Sequence, residues 1–241
     1  GDDGDLIRLY AGFNEQDEAR FIVEQIQAWT DEGNTRKSSA ILYRSNAQSR
    51  VIEEALIRGG LPYRIYGGQR FYERLEIRNA LAYLRLVIGR GDDPALERVI
   101  NTPTRGIGSK TIDDLRAIAR DQGVSMWQAI VLTQQNSLLS TRARSSLAGF
   151  AALINELDSE TLELPIEEMV EHVIHRTGLI DFYKAEKGER GQARVENLEE
   201  LVSAAKTFRA EYDTLSPLQQ FLDRAALDAG DTQADPYEDS V

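Results

Sequence analysis

The spacing of apolar side chains divides this chain into two stretches with different rhythms. Near the start, residues 6–13 (LIRLYAGF) alternate apolar and polar positions as a strand does. Residues 17–29 then place Ala19, Phe21, Ile22, Val23, Ile26 and Trp29 on one helical stripe. Residues 39–44 (SAILYR) read as a short buried strand and 47–58 as a second helix, closed by Gly59 and Gly60 as glycine closes helices. Residues 61–66 (LPYRIY) read as a third short strand. Strands separated by helices of this length predict parallel βαβ units. From Glu73 onward the period is 3.6 almost without a break, predicting helices over 77–88, 94–101, 109–120, 125–133, 141–159, 165–177, 179–187, 193–212 and 217–229. The expected fold class is an α/β N-terminal part with parallel strands, followed by a mainly α-helical domain. The last stretch, 230–241, is acidic and contains a proline, as linkers and tails do.

Charge changes this picture more than composition does. The 241 residues carry a formal charge of -12, which by itself argues against a polyanionic partner. The average hides an asymmetry. Residues 36–116 hold 15 Lys+Arg against 9 Asp+Glu, a net of +6, and the rest holds 13 against 31, a net of -18. All but two of the 15 cations are arginine, which grips phosphate with two parallel donors. Zero cysteine excludes disulfides, thiolate metal sites and a cysteine nucleophile, and fits a reducing, cytoplasmic setting. His172 and His175 lie one turn apart without an acidic or thiol partner at a metal-binding spacing, so no metal is expected. No run approaches the roughly 20 apolar residues of a membrane span. The acidic start, residues 1–5, predicts no secretory signal. There is no phosphate-binding loop of the Walker type, no Gly-x-Ser-x-Gly and no Gly-x-Gly-x-x-Gly, so the chain should neither bind nor hydrolyse a nucleotide triphosphate by itself.

Three motifs carry candidate chemistry. Residues 102–115 (TPTRGIGSKTIDDL) place a break at Pro103, a tight Gly106-Ile107-Gly108 hairpin, and a new helix start at Ser109 to Thr111. Glycine–hydrophobic–glycine is the turn of helix–hairpin–helix units. Their backbone amides approach phosphate closely, and the following helix start offers unpaired N–H groups. Ile107 should plug the turn into the core, with Arg105, Lys110 and Thr111 flanking it. Such contacts hold a duplex without reading its sequence. The alternative is a plain helical corner. Residues 43–50 (YRSNAQSR) sit where a strand should meet a helix. Ser45 or Asn46 could cap that helix, leaving Arg44 and Arg50 for a phosphate backbone. In residues 67–79 (GGQRFYERLEIRN) the glycine pair Gly67 and Gly68 reads as a hinge. Arg70, Arg74, Arg78 and Arg85 follow at helical spacing, with Glu73 and Glu76 able to pair with some of them.

YRSNAQSR, GGQRFYERLEIRNALAYLRL, NTPTRGIG and RVENLEEL, in this order and spacing, resemble the UvrD/Rep/PcrA group of superfamily 1 DNA helicases. The resemblance covers essentially the whole chain. It implies a partial RecA-like motor domain 2A at 1–66, a helical 2B domain at 67–239, and the start of a return to 2A at 240–241. It also implies that the chain is part of an ATP-dependent 3′-to-5′ helicase of repair and replication, contributing duplex binding and regulation. ATP and Mg2+ would belong to the full-length enzyme, with no cofactor held here. DNA at a duplex/single-strand junction is the implied partner, together with mismatch- and excision-repair proteins. The residue matching Arg44 would contact the single-stranded tail, and those matching Arg78, Arg85, Gly106, Gly108, Lys110 and Thr111 would face the duplex. Arg78-Asn79 stands where the family often has a Lys-Asp pair. A reading from another class is a protein-interaction module docking repair partners through acidic helices at 156–171 and 196–211.

Overall fold

The computed structural model describes residues 6–66, 68–230 and 238–241. Its regular structure consists of α1 (Glu15–Asp31), α2 (Ser49–Arg58), α3 (Leu75–Ile88), α4 (Asp93–Val99), α5 (Ser109–Gln122), α6 (Met126–Asn136), α7 (Thr141–Thr161), α8 (Ile166–Arg176), α9 (Leu179–Lys184), α10 (Glu189–Thr207) and α11 (Pro217–Gly230), with short 3-10 turns between some of them. The chain separates into two compact units, 1–71 with 230–241, and 72–229.

The α/β expectation for the first unit is overturned. Among the described residues there is no strand and no sheet, so no RecA-like parallel arrangement is present. The physical reason is specific. Within residues 61–65, Leu61, Tyr63 and Ile65 do turn inward against Val23, Ile26 and Leu56, as the period of two requires. A ladder, however, needs a continuous hydrogen-bonding neighbour. Here, among the described residues, the backbone of Arg64 and Pro62 meets only Val241, through Arg64 N–H to Val241 O and Val241 N–H to Pro62 O, both 3.0 Å. Ile41 also packs on this core, yet Leu42 beside it is exposed. The alternating 6–13 segment has no face to bury, and Leu6, Ile7, Leu9 and Phe13 all stand in solvent. Tyr10 is held locally, stacked 3.8 Å from Phe21 and donating to Asp17 at 2.8 Å. Glu238 to Val241 return to this unit, where the Asp239 carboxylate accepts the backbone N–H groups of Arg36 (3.1 Å) and Lys37 (3.0 Å).

The second unit is built around α3. Ile77, Ala80, Leu81, Ala82, Tyr83, Leu84, Leu86 and Val87 are all buried, so the helix is apolar nearly all round and must be enclosed. It is flanked by α4, α7, α8 and α10, while α10 also covers α8 and α9 and α5 packs on α6. Side-chain oxygens close several helix starts, as sequence rules anticipate. Asp92 accepts from Ala95 N–H at 2.9 Å, Ser125 from Gln128 N–H at 3.2 Å and Ser140 from Ala143 N–H at 3.3 Å. The beginnings of α3, α5, α8, α9 and α10 have no side-chain cap, and that of α5 falls at the hairpin.

Candidate nucleic-acid interface

Helix α4 runs into the hairpin through residues whose polar groups tie the turn together. The Tyr83 hydroxyl donates to Thr102 O (2.6 Å) and Val99 O (3.1 Å), and burial raises its pKa. The Asn101 side-chain oxygen accepts two backbone N–H groups, from Arg105 (2.7 Å) and Ile107 (3.2 Å). Ile107 is 0% exposed, so the plug that the sequence suggested is in place. Gly106 sits at φ +74°, a left-handed conformation that suits glycine. Gly108 is ordinary extended backbone (φ -77°, ψ 168°) with open space around the position a Cβ would take.

Gly108 is the N-cap of α5 and supplies no side-chain acceptor. The first helical bond is Ile112 N–H to Gly108 O, at 3.2 Å. The amides of Ser109, Lys110 and Thr111 therefore point outward without a partner among the described residues, at the positive end of a fourteen-residue helix. Lys110 is exposed and pairs with Asp114 at 3.0 Å, a surface pair that little energy holds. Thr111 is half-buried. Outward-facing N–H groups at a helix start are the kind of donor set that accepts anionic oxygen atoms.

The other candidates divide between outward-facing and internal roles. Arg78 and Arg85 are exposed on α3, and Arg85 lies 3.8 Å from Asp92. Arg44 is exposed, its backbone N–H donating to Gln48 Oε1 at 3.0 Å. Arg105 turns inward. Its guanidinium donates to Pro103 O and Thr177 O, both 2.9 Å, and lies over the rings of Tyr83 (5.6 Å) and Phe150 (5.9 Å). It anchors the hairpin to the end of α8. Arg50 is buried and bonded to Glu54 at 2.8 Å, so it faces carboxylate rather than solvent. The arginine series at helical spacing also breaks up, because α3 begins only at Leu75. Arg70 is buried and donates to the Tyr63 hydroxyl (3.0 Å), and Arg74 is buried and donates to Asn197 Oδ1 (2.8 Å). Gly67 lies outside the described residues. At Gly68 an added Cβ would, among the described residues, meet only Ile65, at 3.8 Å.

Sequence reasoning missed Arg98. This half-buried residue of α4 borders a notch of ≈ 590 Å³ together with Asn79, Thr102, Tyr183, Glu186 and Arg194. Its Nη1 donates to Asn79 Oδ1 at 3.3 Å, and Asn79 Nδ2 donates to the Tyr183 hydroxyl at 2.8 Å. Burial, and then the charge of Arg78, lower its pKa. Nothing in the string ALERV separates Arg98 from a solvated helix face. Its significance depends on which carboxylates its neighbours occupy.

No group of three or more His, Cys, Asp or Glu side chains among the described residues could hold a metal ion, and no described helix is long and apolar enough to cross a membrane. The chain is 53% identical to DNA helicase II of Escherichia coli, over 100% of its own length and 34% of that protein's. It is 41% identical to the ATP-dependent DNA helicase UvrD1 of Mycobacterium tuberculosis over 89% of the chain and 28% of the relative, and 39% identical to the ATP-dependent DNA helicase PcrA of Bacillus subtilis over 99% and 32%. It thus spans about a third of the length of the curated relatives it matches. The model of the UvrD-like helicase C-terminal domain matches residues 1–241. The resemblance first drawn from four sequence motifs is therefore one of descent: this chain belongs to the UvrD-like helicase C-terminal domain family, within the UvrD/Rep/PcrA type of superfamily 1 helicases.

Proposed function

We propose that this chain is the duplex-engaging part of an ATP-dependent 3′-to-5′ DNA helicase of repair and replication, with residues 72–229 acting as its regulatory 2B domain. The observation that carries the reading is the uncapped start of α5 behind a fixed Gly-Ile-Gly turn, in a chain whose relatives are named DNA helicases. Backbone amides at Ser109 to Thr111 hold a phosphate of the duplex, Lys110 adds charge, and the Thr111 hydroxyl adds a donor. The contacts fall on backbone phosphate and are therefore indifferent to base sequence. The net charge of -12 keeps other faces away from DNA and orients the encounter. ATP and Mg2+ act in the remainder of the parent enzyme. Carrying both Lys110→Glu and Thr111→Ala, the chain should bind duplex more weakly and with a flatter salt dependence. Binding equal to that of the unsubstituted chain would reduce the hairpin to a structural corner. In the acidic-docking alternative, Glu156 and Glu160 are already engaged by Arg176, at 2.8 and 3.5 Å, while Glu168, Glu171 and Glu199 are exposed.

A further inference from the structure

We infer that Glu97 and Arg116 are positioning residues for the hairpin: their ion pair braces α4 against α5 across the turn and so sets the angle at which the amides at the start of α5 meet a phosphate. The inference rests on the duplex-binding reading above and gives a part in it to two side chains that bond to each other rather than to phosphate.

Helices α4 and α5 leave the hairpin from its two ends. Asn101 and Ile107 fix the turn between them, but a turn governs only the local path of the backbone. The direction of the helix that follows depends on what holds it farther along. Leu115 and Ala119 of α5 are buried, and α5 packs on α6. Toward α4, Arg116 Nε donates to Glu97 Oε1 at 2.8 Å. Among the described residues, no other hydrogen bond or ion pair joins α4 to α5. Arg116 lies about two turns, or about 10 Å, along α5 from Ser109, so the pair acts on the amides through the helix between them.

Arg116 is ordered by its own helix before it reaches across. Its Nη1 donates to Asp113 Oδ1 at 2.7 Å, one turn back on α5, which fixes the guanidinium plane and leaves Nε for α4. A planar fork already held at one edge loses less freedom when its other edge is bonded. On the α4 side, no second cation lies within 4 Å of Glu97 among the described residues. Its neighbour in sequence, Arg98, donates to Asn79 Oδ1 at 3.3 Å instead. The hydrogen bond from Arg116, and then that residue's charge, hold the Glu97 carboxyl below its usual 4.5, so the pair is fully charged at neutral pH. Half of the Arg116 side chain is exposed, and exposed pairs change an equilibrium by at most about fivefold. That is enough to tune an angle without deciding whether the chain folds.

The test sets geometry against charge, using the intact chain and the fluorescence anisotropy of a labelled duplex of arbitrary sequence. Glu97→Arg makes the chain more positive, so charge alone predicts tighter binding to a polyanion. Loss of the brace predicts the opposite sign. Glu97→Arg and Arg116→Glu should each weaken duplex binding about threefold. Glu97→Arg combined with Arg116→Glu restores an opposite-charge pair at the parent's net charge and should return affinity to the parent's. Thermal midpoints should stay within a few degrees throughout; should Glu97→Arg fail to fold, Glu97→Gln, which also raises the net charge, decides by the same sign. Unchanged or tighter binding by Glu97→Arg overturns the brace, as does a double substitution that recovers nothing. In either case the hairpin reading survives if Lys110→Glu with Thr111→Ala still weakens binding. No duplex binding by the unsubstituted chain overturns both.

Discussion

Gly108→Ser separates what the start of α5 does for the fold from the duplex contact proposed for it. The backbone at Gly108 already has the extended geometry that an N-cap serine adopts, and nothing lies within 4 Å of an added Cβ, so the side chain enters without strain. Its hydroxyl oxygen would accept from the N–H of Thr111, as Ser125 does from Gln128 at 3.2 Å and Ser140 from Ala143 at 3.3 Å in this same protein. The cap adds a few tenths of a kcal/mol, and replacing glycine reduces the freedom of the unfolded chain, for a total of about 1 kcal/mol. In a chain of this size that raises the thermal midpoint by about 2–4 °C. The same hydroxyl takes an amide that would otherwise donate to phosphate. One charge-assisted hydrogen bond lost is about 1.5 kcal/mol, or roughly tenfold in affinity. The substitution should therefore raise stability in a melting experiment and lower duplex affinity in fluorescence anisotropy. Gly108→Ala brings no oxygen and should leave duplex affinity near the parent's. A serine variant that melts higher yet binds duplex as tightly as the alanine variant would show that these amides do not contact phosphate.

Two further outcomes follow from the surroundings of the hairpin. Arg105→Met should destabilise the chain by about 2 kcal/mol in denaturant unfolding, because it deletes charged donors to Pro103 O and Thr177 O and contacts with two aromatic faces; an unchanged midpoint would contradict the anchoring role. On the α7–α8 surface, the hydrogen bond from His172 and the charge of Arg176 hold the Glu160 carboxyl below its usual 4.5. A depressed folded-state pKa contributes stability that is complete above the unfolded value and disappears as pH falls through the folded one. Acid unfolding below about pH 4.5 should consequently be shallower for Glu160→Gln, and identical acid limbs would refute the linkage.

The helices were legible because their signals are local. The 3.6 period alone marked them, as the buried Leu147, Phe150, Ile154 and Leu157 of α7 show. Residues 193–212 were shifted. The observed α10 spans Glu189–Thr207, because Gly188 in a positive-φ conformation marks its start and Phe208 adopts extended backbone at its end. The strand readings failed because alternation reports only which side chains face inward. Leu61, Tyr63 and Ile65 obey it, but a sheet also needs partners far away in sequence, which no local pattern can encode. The hairpin was readable from two glycines and the residue between them. The roles of Arg50, Arg70, Arg74 and Arg105 were not, since whether an arginine meets solvent, carboxylate or carbonyl depends on tertiary neighbours such as Glu54, Tyr63, Asn197 and Thr177.

On the proposed duplex-binding reading, the double acceptance by Asn101 bears on how quickly and how uniformly DNA would be engaged. One amide oxygen pins the backbone on both sides of Gly106, and the buried Ile107 side chain fixes the turn from below. The cradle is thus shaped during folding, and the conformational entropy of ordering it is lost before any duplex arrives. Binding then requires little rearrangement of protein, so encounter should be limited by diffusion and charge rather than by loop closure. If the proposed duplex binding holds, each recapture of a duplex begins from the same preformed shape.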